Sequence, residues 1–173
     1  YDHPHEPARC MVSGTGLTHK ASVDNRQAMH EGGDEDVTDS MKMYQWGLEG
    51  GQPAGDAIGV QPEWFFKGDG FILRGHNEPL TVNGFADDGG EEPEICGLYI
   101  IDDEGTPRRL GLCIGNEFSD HVMEKKNYLY LAPSKLRECA IGPELCIDPD
   151  FHDVKGSVSV ERSGSIAWST DIA

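Results

Sequence analysis

Positive charge is scarce in this sequence. Its 173 residues carry 14 Lys and Arg against 31 Asp and Glu, a formal net charge of −17. So acidic a surface repels phosphate backbones, which argues against nucleic acid and anionic membranes as partners. Long apolar runs are also missing; none approaches the roughly 20 residues of a membrane-spanning helix. Hydrophobic residues make up 37% and charged ones 26%, which fits neither a membrane-like chain nor a plainly disordered one. No CxxC pair and no N-x-S/T acceptor occur, and the five cysteines (Cys10, Cys96, Cys113, Cys139 and Cys146) are odd in number. They read as reduced, mostly buried thiols of a cytoplasmic protein, and a thiolate zinc site has no spacing to support it. No basic-then-apolar leader is read in the opening residues. The chain starts at Tyr1 rather than Met, and its last stretch, from Ser165 to Ala173, reads as the start of a strand or turn. A longer polypeptide is therefore expected.

What the sequence does hold is turn formers, with 22 Gly and 10 Pro. They point to short elements and a β-rich fold, and the length allows one domain with a real core. Gly14-Thr15-Gly16-Leu17-Thr18-His19 lacks the third glycine of a dinucleotide loop, and no βαβ unit surrounds it. His3 and His5 sit in an irregular opening stretch and read as binding nothing. A short helix is expected over 22–30, capped by Ser22, followed by an acidic loop over 31–36. The best helix is 38–49, capped by Thr38 or Asp39, with Met41, Tyr44 and Leu48 as a packing stripe and Gly50-Gly51 as its end. Strands are expected over 63–67, 71–73, 94–102, 109–114 and 157–162, with residues 103–107 as a hairpin turn. Residues 120–137 read as mixed, with a helical turn. The predicted class is α+β, mainly β: helices gather in an N-terminal segment, 1–60, before a β core, 61–173.

The chemistry lies in the carboxylates. Glu92-Pro93-Glu94 opens the strand over 94–102, and in extended chain residues i and i+2 point to one side. Pro93 offers no backbone donor, which suits a strand start or an edge. Glu117 follows the next strand. If the two strands form a hairpin, Glu92, Glu94 and Glu117 lie at the same end. Three crowded carboxylates repel unless a cation neutralises them, and an all-oxygen set selects Mg²⁺, Mn²⁺ or Ca²⁺ rather than zinc. An E-x-E pair is also a common accident in a chain with 31 acids. Lys67 ends an aromatic strand; it either holds a substrate carboxylate or snorkels from a strand end. His19 is a general base or a surface histidine.

Gly14 to His19, Pro62-Glu63-Trp64-Phe65-Phe66-Lys67-Gly68, Glu92-Pro93-Glu94 and Gly115-Asn116-Glu117-Phe118-Ser119-Asp120-His121 occur in an order that resembles the fumarylacetoacetate hydrolase superfamily. Tyr128 to Lys135 continues the likeness, which covers about residues 11–165 and is nearest to the sugar-acid branch with its 2-keto-3-deoxy-pentonate dehydratases. The resemblance implies a mixed β-roll, a homodimer or homotetramer, and a divalent ion, normally Mg²⁺. It makes Glu92, Glu94 and Glu117 metal ligands, Glu117 standing where many members have Asp. It makes Lys67 a catalytic and substrate-lining residue, sets Ser134 and Lys135 near the substrate, and brings His19 near the base of hydrolytic members. The glutamate that activates water in those members is not identified, which favours elimination over hydrolysis. The family's final segment is not found after Ala173. The expected reaction is dehydration of a small-molecule 2-keto-3-deoxy sugar acid to 2-ketoglutarate semialdehyde. Residues 20–36 would close over the site as a lid. Alternatives are a C–C bond hydrolase of acylpyruvates or diketo sugar acids, and a non-catalytic module binding a cation or sugar acid.

Overall fold

Alternation and turn chemistry build the sheet, and the sheet positions everything else. The computed structural model describes residues 3–16, 20, 23–24, 38–147, 149–150 and 154–172. Strand β1 (Met11–Gly16) pairs antiparallel with β2 (Glu63–Asp69), Met11 opposite Asp69 and Gly16 opposite Glu63. Between them in sequence runs helix α1 (Asp39–Gly50), whose first turn is capped by Thr38 Oγ1 accepting from the Met41 N–H at 3.3 Å. The expected packing stripe is only partly realised: Met41 and Tyr44 are half-buried and Leu48 is exposed.

The stretch expected as a strand over 71–73 is a correction. Asp69 Oδ1 accepts from the Phe71 N–H at 2.9 Å, and this local bond turns Gly70–Ile72 into a 3₁₀ turn. Only β3 (Leu73–Arg74) is extended there. The main element is the hairpin of β4 (Pro93–Ile101) and β5 (Pro107–Asn116). Its turn is fixed by Asp102, whose Oδ1 accepts from the Thr106 N–H at 2.7 Å, and by Gly105 at φ +81.

After β5 come helix α2 (His121–Lys126), a 3₁₀ turn (Tyr128–Tyr130) and helix α3 (Leu131–Lys135). Among the described residues, helices thus lie beyond β5 as well as before residue 60, where the sequence reading gathered them. Strand β6 (Cys139–Ile141) returns antiparallel to the end of β5 and parallel to β3, giving a mixed sheet of order β3-β6-β5-β4. Strand β7 (Cys146–Ile147) also pairs with β5. A last hairpin joins β8 (Gly156–Arg162) to β9 (Ser165–Ile172) through Ser163 and Gly164, both at positive φ.

The core departs from expectation. Among the described residues the buried apolar side chains are Val23, Cys113, Phe118 and Cys139. Lys67, Glu117, Ser119, Asp120, Ser134, Lys135 and Arg137 are buried with them. The buried set among the described residues is thus largely polar, as occurs where such groups satisfy one another or serve a site. None of the five cysteines forms a disulfide; two are buried, two half-buried and Cys146 exposed.

Candidate metal centre

Strand pleating delivers the first two acids. Burial alternates along 91–98, with Glu92 and Glu94 on the inward side and Glu91 and Pro93 on the outward one. Pro93 pairs opposite Asn116, so the start of β4 lies beside the end of β5, and Glu117 follows at once. The junction is tied three times. The Glu117 N–H donates to Glu92 O at 2.9 Å. Asn116 Oδ1 accepts from the Glu92 N–H at 3.0 Å and the Phe118 N–H at 3.1 Å. Gly90 and Ser119 exchange both backbone hydrogen bonds at 2.9 Å. A Cβ at Gly90 would sit 2.7 Å from the His121 ring, which would have to shift. As a result, one ligand atom from each of Glu92, Glu94 and Glu117 lies within 4.8 Å of the others.

Two buried lysines face this trio. Lys67 is 2% exposed, and its ammonium donates to Phe118 O at 3.0 Å and Lys135 O at 2.8 Å, 3.8 Å from Glu117 Oε1. It does not snorkel. Burial pulls its pKa below the usual lysine value, with Glu117 opposing. Lys135 Nζ lies 2.5 Å from Glu92 Oε1 and 3.1 Å from Glu117 Oε1. Burial would lower its pKa, but Glu117 and Glu92 outweigh that and raise it. Glu92 Oε1 also accepts from Ser119 Oγ and lies 3.1 Å from His121 Nε2. Burial pushes the Glu92 carboxyl up, yet the bonds from His121, Lys135 and Ser119 hold it well below the ordinary carboxylate range. Among the described residues Glu94 receives no such bonds. Burial, then Glu117 and Glu92, push it up to about 7. Burial raises Glu117 as well, against the two lysines.

The remaining sequence-stated residues fall unevenly. Ser134 is fully buried, its hydroxyl within hydrogen-bond distance of Glu124 Oε1 at 2.5 Å and Leu131 O at 2.6 Å, where it braces α2 and α3 from within. His19 and most of the 20–36 lid, with the 22–30 helix, lie outside the described residues. Sequence reasoning gave no role to Ser119, Asp120, His121, Glu124 or Arg137. Asp120 is fully buried; it caps α2 through the Met123 N–H at 2.8 Å and pairs with Arg137 at 2.6 Å. Its signal was present as an Asp directly ahead of a short helix; Arg137, 17 residues away, carried none.

The trio fits a hard dication. Its donors are all oxygen, and Glu117 Oε1 is buried without a hydrogen bond of good geometry. The ammonium groups of Lys135 at 3.1 Å and Lys67 at 3.8 Å face that oxygen, and a dication entering the trio would share it with them.

No family model matches the chain. A probable 2-keto-3-deoxyxylonate dehydratase from Haloferax volcanii is 29% identical over 113 residues, 62% of this chain and 37% of that protein. The solved 2-keto-3-deoxy-D-arabinonate dehydratase complexed with magnesium and 2,5-dioxopentanoate superposes with a TM-score of 0.67 at 24% identity, over 98% of this chain and 52% of that one. Its apo form gives a TM-score of 0.68 with the same coverage and identity. The chain shares the fold of the solved dehydratases and spans about half their length. The resemblance to the sugar-acid branch is upheld, since both comparisons return its pentonate dehydratases.

Proposed function

We propose that this chain carries the acidic centre of a Mg²⁺-dependent dehydratase acting on 2-keto-3-deoxy pentonates. The observation that supports the reading best is the convergence of Glu92, Glu94 and Glu117 beside two buried lysines. Glu92, Glu94 and Glu117 would hold the ion. When bound, it would stabilise negative charge developing on a 2-oxo acid and so acidify the C3 proton. Loss of that proton and of the C4 hydroxyl as water, followed by tautomerisation at C5, gives 2,5-dioxopentanoate. This is the 2-ketoglutarate semialdehyde expected from the sequence, and the compound held by the solved relative.

The chain's own residues supply order and charge. Lys67, tied to two backbone carbonyls, fixes β2 against the 117–118 turn and keeps a positive charge beside Glu117. Lys135 brings a second positive charge against an anionic substrate that the acidic surface would otherwise repel. His19 is the assigned base for the C3 proton, and residues 20–36 the assigned lid. The protein is read as a cytoplasmic homodimer or homotetramer.

Turnover of 2-keto-3-deoxy-xylonate and -arabonate with MgCl₂ tests the assignment. Glu94→Gln should cut the rate by about 100-fold or more, as expected for loss of a charge-stabilising ligand. Full activity in EDTA refutes it. Pyruvate plus a second acid as products would make the enzyme a C–C hydrolase.

A further inference from the structure

We propose that Lys135 sets the cation affinity of the acidic centre, its ammonium competing with a dication for Glu92 and Glu117 and retreating to Glu124 when the dication binds. The inference rests on the reading of Glu92, Glu94 and Glu117 as cation ligands. Lys135 Nζ touches two of those three carboxylates, Glu92 Oε1 at 2.5 Å and Glu117 Oε1 at 3.1 Å. These are oxygens that a dication would need, and two cations sharing contact oxygens repel strongly in so buried a place. Binding of the ion therefore has to move the ammonium or work against it.

The structure supplies a place for it to go. Glu124 Oε1 lies 3.6 Å from the same ammonium and outside the trio. Ser134 Oγ holds that carboxylate at 2.5 Å, and Glu124 stands on α2 while Lys135 ends α3. The lysine stem is long and flexible, so a short swing exchanges one carboxylate partner for another. The Phe65 ring, with its centroid 5.9 Å from Nζ, offers the ammonium a tolerant neighbour throughout. A lysine with two berths makes the centre bind its ion more weakly than three bare carboxylates would. It also leaves a positive charge beside the site after the ion has entered.

Titration calorimetry of MgCl₂ into the full chain tests this with Lys135→Met and Glu124→Gln. Lys135→Met should bind Mg²⁺ about tenfold tighter or more, and Glu124→Gln about tenfold weaker, each tenfold being ~1.4 kcal/mol. Equal or weaker binding by Lys135→Met overturns the competition. Unchanged binding by Glu124→Gln overturns the retreat. Should Lys135→Met fold only with MgCl₂, the midpoint of that folding followed by circular dichroism reads the same affinity; a chain that MgCl₂ does not fold overturns the proposal. Wild-type protein that takes up no Mg²⁺ refutes instead the assignment of the three ligands.

Discussion

Asp120 shows how a single residue ties the site to the stability of the whole. Burial would raise its carboxyl pKa, but the backbone N–H groups of Met123, Asp87 and Asp88 and the Arg137 guanidinium hold it at about 2. A folded-state value below the unfolded one, near ~3.9, means stability present above about pH 4 and lost as pH falls toward 2. Urea midpoints measured from pH 5 to 2 should fall across that window. Arg137→Met removes one partner of a buried pair, 1% and 0% exposed, and should cost about 3–5 kcal/mol at pH 7. The thiols make a second case. Burial pushes Cys96 up to about 12 and Cys139 up to about 11, and raises Cys113. At pH 8 a thiol reagent should label exposed Cys146 much faster than these three, and equal rates would contradict their burial. The convergence of Glu92, Glu94 and Glu117 was legible because strand periodicity and a hairpin fix where such side chains meet. Arg137 and Glu124 were not, because no short-range pattern reports a partner reached through tertiary packing.

At the scale of elements, the β4–β5 hairpin was readable because its turn chemistry and its alternation agree. Asp102 and Gly105 sit at the end of the hairpin opposite the acids, where Ile101 pairs with Pro107. Gly105→Val places a β-branched residue at φ +81 and should cost about 1–2 kcal/mol in denaturation while leaving Mg²⁺ affinity unchanged. A matching loss of affinity would show that the two ends of the hairpin are coupled. The 3₁₀ turn at Gly70–Ile72 was misread as strand for a physical reason. Phe71-Ile72-Leu73 has strand composition, but the Asp69 side chain supplies a local acceptor that outcompetes the ladder. The helices α2 and α3 were too short to show a period; Asp120, Ser134 and the packing of the site hold them in place.

The whole molecule carries a net charge of −17, and three of its cations, Lys67, Lys135 and Arg137, are buried about the site. Glu117 and Asp120 are buried with them, so the burial takes one more cation than anion from the outer surface among the described residues. Repulsion among the surface carboxylates opposes the folded state, and it is screened over a length that shrinks from ~30 Å at 0.01 M salt to ~3 Å at 1 M. Melting temperature should therefore rise with KCl, by about 4 °C or more between 0.05 and 1 M, the equivalent of ~1 kcal/mol for a chain of this size. Choline chloride should do the same, since screening does not depend on a bound ion. MgCl₂ should act differently, stabilising at millimolar concentration through Glu92, Glu94 and Glu117 by mass action. Glu94→Gln separates the two effects: it should abolish most of the millimolar MgCl₂ shift and leave the KCl response in place. If Glu94→Gln flattened both curves alike, general screening and the trio would be one phenomenon, and the acidic centre would hold no ion of its own.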